Sequence, residues 1–158
     1  MKIYEQRLCE KQGKLFEESA SLFPCSSPYF IRCYMNSHVA KEQDIASVTY
    51  EAPNADLPSL KSALQSDYPS LLEKEGRHYS AQVLHWMGYI YRAWVILTSR
   101  PSSFIYKSMK AEDLLPLYDS FHTFDPEYCV KRLQEIVEEK EGPAPSDYEV
   151  YKRIKLGY

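Results

Sequence analysis

The most apolar helical pattern of the chain is HYSAQVLHWMGYIYRAWVILT, residues 78–98. Its apolar side chains recur every three or four positions, the spacing of a helix, at Tyr79, Val83, Trp86, Met87, Ile90, Trp94 and Leu97. Further apolar residues widen this stripe over most of the circumference, which is typical of a helix buried on nearly all sides. We therefore predict that 78–98 is the central and most buried helix, with Trp86, Ile90 and Trp94 in the core.

Helical spacing and cap signals predict further helices on both sides of this stretch. Ser26-Ser27-Pro28 and Asp125-Pro126-Glu127 each combine a capping side chain with a proline in the first turn. The predicted helices cover 3–23, 27–36, 57–66, 101–109, 112–121 (strained by Pro116) and 125–142, with 37–46 as another helix or the continuation of 27–36, and a loop at 49–59. The sequence thus predicts an all-α fold, a compact bundle of about six to seven helices. Residues 1–142 form one domain in this interpretation, and 143–158 form a linker and a C-terminal tail, strand-like or helical.

Composition restricts the class of protein. With 158 residues, 44% of them hydrophobic and 14% aromatic, the chain can bury a single dense core. The 19 basic and 22 acidic residues nearly balance, which argues against an extended phosphate-binding surface but leaves room for a local basic patch. We expect the partner to be another protein and consider nucleic acid unlikely; the oligomeric state stays open.

Neither a cofactor nor a metal is expected from the motifs. The four cysteines form no C-x-x-C pair, and the nucleotide-binding and hydrolase signatures are missing. Reduced thiols are typical of the cytoplasm, where we place the protein. The most apolar segment, 86–97, is too short to span a membrane and carries Arg92.

One polar face interrupts the central helix. His78, Gln82, His85, Tyr89 and Arg92 follow one another at intervals of three or four residues, so they share a side of the helix. One hypothesis is a polar pocket for an anion or a proton-transfer pair, with His78, His85 and Arg92 as candidate binding residues. The alternative, which we favour, is that this is the one solvated face of the helix.

Arg32 and His38 form the second candidate site. An arginine followed six residues later by a histidine resembles the active motif of helical ribonucleases of the HEPN superfamily. The resemblance implies that Arg32 would steady a phosphate charge and His38 would move a proton. Cys33 stands where those enzymes usually have a polar residue.

His122 lies between a short predicted helix and a strongly capped one. An imidazole at such a junction can serve free backbone groups at both helix ends. We predict that its role is structural.

Three stretches together resemble a family of small bacterial domains of unknown function. They are Ser102-Ser103-Phe104-Ile105-Tyr106-Lys107, then Leu114-Leu115-Pro116-Leu117-Tyr118-Asp119-Ser120-Phe121-His122-Thr123, and Glu127-Tyr128-Cys129-Val130. The resemblance covers about a third of the chain. It implies an antitoxin-like or accessory role beside putative toxin genes, and assigns no active site.

The leading hypothesis is therefore a non-enzymatic protein-interaction module. A ribonuclease using Arg32 and His38 is the alternative. A DNA-binding regulator built on 26–46 ranks last, because that segment holds only Arg32 and Lys41 as basic residues.

Overall fold

A computed structural model describes residues 1–49, 56–141 and 155, and every regular element in that part of the chain is helical. The helices are α1 Ile3–Leu22, α2 Ser27–Met35, α3 His38–Thr49, α4 Leu57–Asp67, α5 Ser70–Glu73, α6 Ala81–Thr98, α7 Ser102–Ser108, α8 Ala111–Leu114, α9 Tyr118–Phe121 and α10 Pro126–Glu141. A 3-10 turn, Leu115–Leu117, separates α8 from α9. The predicted all-α class is confirmed; seven of the ten described α-helices have seven or more residues, and α5, α8 and α9 are single turns.

Helix α6 begins three residues later than predicted. The Ser80 side chain accepts a hydrogen bond from the backbone N–H of Val83, and this capping bond fixes the start of the helix. His78 therefore precedes the helix, and its Nε2 lies 3.1 Å from the carbonyl oxygen of Phe23. At the other end Ser99 adopts a left-handed conformation with φ of 55°. His78, the first residue of the predicted polar stripe, therefore belongs to the preceding loop and not to α6.

Helix α6 is the centre of the core, as predicted. It has nine buried residues, more than any other described helix, and it makes its most extensive contact with α1. Ile90 and Trp94 are buried as expected. The prediction that Trp86 lies in the core is wrong, because Trp86 is only partly buried and its ring faces Tyr118 at the surface.

Two glycines let α1 and α6 approach closely. A Cβ atom on Gly88 would lie 2.5 Å from the carbonyl oxygen of Gln12 and 2.9 Å from the Cα atom of Gly13. A Cβ atom on Gly13 would in turn lie 2.9 Å from the carbonyl oxygen of His85. The interpretation of the polar stripe as a solvated face therefore holds only in part: Gln82 is exposed and His85 and Tyr89 are half-buried, whereas Arg92 is buried.

Proline and capping residues set the boundaries of the C-terminal helices. Pro116 divides the predicted helix 112–121 into α8, the 3-10 turn and α9, since proline cannot continue the ladder of hydrogen bonds. Helix α10 begins where Asp125 accepts a hydrogen bond from the N–H of Glu127. Apart from Lys155, the predicted linker and tail lie outside the described residues, as do residues 50–55 of the predicted loop. No described helix has the length and apolar character needed to cross a membrane.

Candidate binding groove

Arg92, a candidate binding residue, lies at the centre of a buried polar network. Its Nε and Nη2 donate to the Gln12 side-chain oxygen at 3.0 and 2.7 Å, and its Nη1 donates to Asp44 at 2.6 Å. Longer bonds reach the hydroxyls of Ser47 (3.3 Å) and Ser102 (3.4 Å). All five N–H donors of the guanidinium are thus matched within the protein.

The partners of Arg92 are themselves held by the surrounding helices. Gln12 donates to the carbonyl of Gly88 and accepts from the Tyr34 hydroxyl, whose pKa is raised by burial. Asp44 accepts from the backbone N–H of Ser102 at 2.8 Å. The network joins α1, α2, α3, α6 and α7. Because Arg92 is 1% exposed and fully bonded, it holds helices together and is not available to a ligand.

His85, the remaining candidate of the stripe, lies at the edge of an open groove. Its Nε2 is 3.2 Å from a carboxylate oxygen of Glu10, and its side chain is 28% exposed. The three predicted candidates therefore separate: His78 binds backbone, Arg92 is internal, and only His85 borders a surface cavity.

That cavity, the aromatic groove, has a volume of about 570 Å³ and lies between α1, α6 and the segment from α9 to the start of α10. Its lining consists mainly of rings and carboxylates: Glu10, Glu17, Gln82, His85, Trp86, Tyr89, Ile90, Tyr118, His122, Phe124 and Pro126.

Three rings of the groove are ordered against one another. The Trp86 and Tyr118 rings meet edge to face with centroids 5.6 Å apart, and His122 stacks on Tyr118 at 4.4 Å. His122 Nδ1 donates to the Tyr118 carbonyl at 2.7 Å. The predicted contact with the preceding helix is therefore confirmed. The predicted contact with the next helix is wrong, because Asp125 caps α10 instead and His122 is exposed.

The groove has a negative electrostatic character. Glu10 and Glu17 line it, and no described lysine or arginine does, although Lys14 lies 3.3 Å from Glu17 and offsets part of that charge. Burial, together with the charges of Cys9, Glu10 and Asp125, raises the pKa of the Tyr89 hydroxyl. Tyr89 thus remains a neutral phenol at neutral pH.

These groups can hold a cation, because aromatic faces and carboxylates both attract cationic side chains. The described lining includes no serine, threonine, cysteine or lysine. Burial raises the pKa of the Cys9 and Cys129 thiols to about 12, so neither forms the reactive thiolate.

The structure places Arg32 and His38 in different surroundings. The Arg32 guanidinium lies 5.9 Å from the Tyr29 ring centroid and lines a groove beside α7. His38 begins α3, is 76% exposed and lies 3.9 Å from Glu42. His38 is not part of the groove that Arg32 lines.

Among the described residues, no cluster of three or more histidine, cysteine, aspartate or glutamate side chains could hold a metal ion. No family model matches the chain, and no curated protein or solved structure does so either.

The sequence pattern did not indicate the α1 side of the groove. Glu10 and Glu17 look like ordinary solvated residues of an amphipathic helix, and Trp86 and Tyr118 look like core residues. One signal was available: Gly13 and Gly88, each within a predicted helix, mark a close approach that would bring Glu10 and His85 together.

Proposed function

We propose that this chain is a non-enzymatic protein-interaction module whose aromatic groove binds an arginine- or lysine-bearing segment of another protein. The observation that carries the proposal is the lining of the groove: ordered rings beside Glu10 and Glu17, with no lysine or arginine among the described lining residues. A cationic side chain would meet the rings on one side and the carboxylates on the other. Each cation–π contact contributes about 0.5–2 kcal/mol, according to how dry the contact is.

The surface around the groove suits a partner that binds non-covalently and is not chemically changed. Trp86 and Tyr118 are large amphipathic rings of the kind enriched at protein interfaces. The family resemblance, which includes Tyr118 and His122, supports an antitoxin-like or accessory role in a bacterial toxin locus. We propose that setting for the module.

The test uses a labelled peptide of alternating arginine and glycine, beside the same peptide with citrulline in place of arginine. Citrulline keeps the shape and removes the charge. We expect the arginine peptide to bind and to change the fluorescence of Trp86, because Trp94, the other tryptophan, is buried. Fluorescence anisotropy gives the affinity. Equal binding of both peptides, or binding of neither, would contradict the proposal.

Two variants locate the binding in the groove. E10Q/E17Q removes both lining charges, and Tyr118→Leu removes a ring; each should weaken binding by roughly tenfold, which corresponds to about 1.4 kcal/mol. The matched control is E73Q/E75Q, which removes two exposed carboxylates outside the groove. An equally large effect in the control would show that only net charge matters.

The ribonuclease alternative stays a prediction, and we expect no cleavage that depends on Arg32 and His38. Incubation with structured and single-stranded RNA, beside His38→Ala, checks this. Cleavage that disappears in the variant would reverse the ranking of the two hypotheses.

A further inference from the structure

A second groove, here called the basic groove, lies between α2 and α7 and has a volume of about 500 Å³. It is separate from the aromatic groove and shares no described lining residue with it. Arg32 lines it from α2, Lys107 from α7, and Lys110 from the residue before α8. All three side chains are exposed.

The charge of this groove is unbalanced. No described carboxylate lines it, and none of its three cations is within ion-pair distance of a described acidic side chain. Glu112 lies near enough to act on Tyr106, whose pKa is raised first by burial and then by that carboxylate, but Glu112 does not line the groove. A chain with a net charge of -3 thus gathers three positive charges, unmatched by the described acids, in one cavity. Such a cavity attracts anions.

An aromatic ring borders the same cavity. Phe104 lines the cavity and is 47% exposed, so part of its ring is accessible to a ligand. The Arg100 guanidinium lies 5.0 Å from the ring centroid, and Arg100 lines the neighbouring cavity beside Glu138 and Glu141 rather than the basic groove. Positive side chains that track a phosphate backbone, beside an exposed ring for a base, are the two components of single-strand recognition.

We propose that the basic groove binds single-stranded nucleic acid, with phosphates against Arg32, Lys107 and Lys110 and an unpaired base against Phe104. A duplex does not satisfy this arrangement, since its bases are stacked on one another and cannot reach the ring. The inference does not depend on the aromatic groove or on its partner.

The experiment is fluorescence anisotropy of the full chain with a labelled twelve-residue uridine oligonucleotide at low salt. K107Q/K110Q should weaken binding at least tenfold. The slope of log affinity against log salt should become shallower by about 1.4, since each phosphate that is no longer neutralised lowers it by about 0.7. F104A should also weaken binding while the melting temperature stays close to that of the wild type, because the ring is half exposed.

The matched control is K131Q/K140Q, which removes two exposed lysines from α10 and should change the affinity less than twofold. Absence of binding by the wild type, or an equally large effect in this control, would overturn the proposal. If inorganic polyphosphate displaced the oligonucleotide as well as unlabelled oligonucleotide does, and F104A did not change the affinity, the groove would hold no base. That result would overturn the proposal. Competition by uridine monophosphate at the same concentration of nucleotide units would identify a free nucleotide as the ligand, and so would also overturn it.

Discussion

At the scale of single residues, Arg92 shows what one charge requires inside a dense core. Its guanidinium can be buried only because Gln12, Asp44 and two serine hydroxyls accept all of its hydrogens. A buried ion pair of this kind adds little net stability, yet removal of one partner leaves the other charge without compensation.

We therefore expect Arg92→Met to lower the free energy of unfolding by about 3–5 kcal/mol, because the Asp44 carboxylate is left without its cation. Urea denaturation followed by circular dichroism measures the change. The control is Arg132→Met, which breaks an exposed pair with Glu135 and should change stability by less than about 1 kcal/mol. Addition of Asp44→Asn to Arg92→Met should recover part of the stability. Equal effects of the two arginine variants would show that the network is not important for stability.

His122 is a residue whose two roles can be separated by experiment. Because it is exposed and bonded to the Tyr118 carbonyl, His122→Ala should cost only about 0.5–1.5 kcal/mol of stability. The same change removes a stacked ring from the aromatic groove and should weaken binding of the arginine peptide. Thermal melting and anisotropy on one sample measure both effects. Unchanged peptide binding would confine His122 to the structural role predicted from sequence.

At the scale of elements, the contact between α1 and α6 is closer than large side chains would allow. Replacement of glycine by alanine inside a helix normally adds up to about 1 kcal/mol of stability. At Gly88 the new methyl group would lie 2.5 Å from the backbone oxygen of Gln12, which cannot move away unless α1 moves with it. Packing therefore outweighs helix propensity at this position.

Gly88→Ala should accordingly destabilise the protein, by roughly 1–3 kcal/mol, the usual cost of an overpacked core. Differential scanning calorimetry checks the sign. Gln82→Ala, on an exposed turn of the same helix, should change stability by no more than about 0.5 kcal/mol. If Gly88→Ala were stabilising, α1 and α6 would have to be farther apart than the structure shows.

At the scale of the whole molecule, buried cysteine thiols and tyrosine phenols make the stability depend on pH. Burial raises the pKa of Cys9 and Cys129 from 9.0 to about 12, and raises the pKa of Tyr34 and Tyr91 above 10.0. The unfolded chain loses these protons at lower pH than the folded one. The stabilisation is therefore complete below about pH 9 and is lost as the pH rises through the folded-state values.

We expect the melting temperature to fall steeply above about pH 9. Between its unfolded-state and folded-state pKa, each group lowers the free energy of unfolding by about 1.4 kcal/mol per pH unit. Tyrosinate absorbance at 295 nm should then show a late fraction of phenols that ionise only as helical circular dichroism is lost. Salt at fixed pH should change this result little, because burial is the main cause. If all 14 tyrosines titrated together near pH 10 while the chain stayed folded, the core would be more open than described.

Local signals explain how much of the fold could be predicted. Apolar spacing indicated α6, and Ser26-Ser27-Pro28 and Asp125-Pro126 indicated the starts of α2 and α10. Helix α3 continues to Thr49, beyond its predicted end at 46, since no glycine or proline stands between 46 and 49 to stop it. Of the candidate site residues, His85 alone borders the aromatic groove, whereas Arg92 is internal.

The longer helices could be predicted from the sequence, because capping, proline and apolar periodicity act within one or two turns of the chain. Which polar groups meet depends on the tertiary packing. Arg92 lies 80 residues from Gln12 and 48 from Asp44, and no local pattern connects them. The contact of Arg92 with Gln12 depends on the distance between α1 and α6, which Gly13 and Gly88 set. The same packing buries Arg92 and leaves His85 and Trp86 beside Glu10 in an open groove.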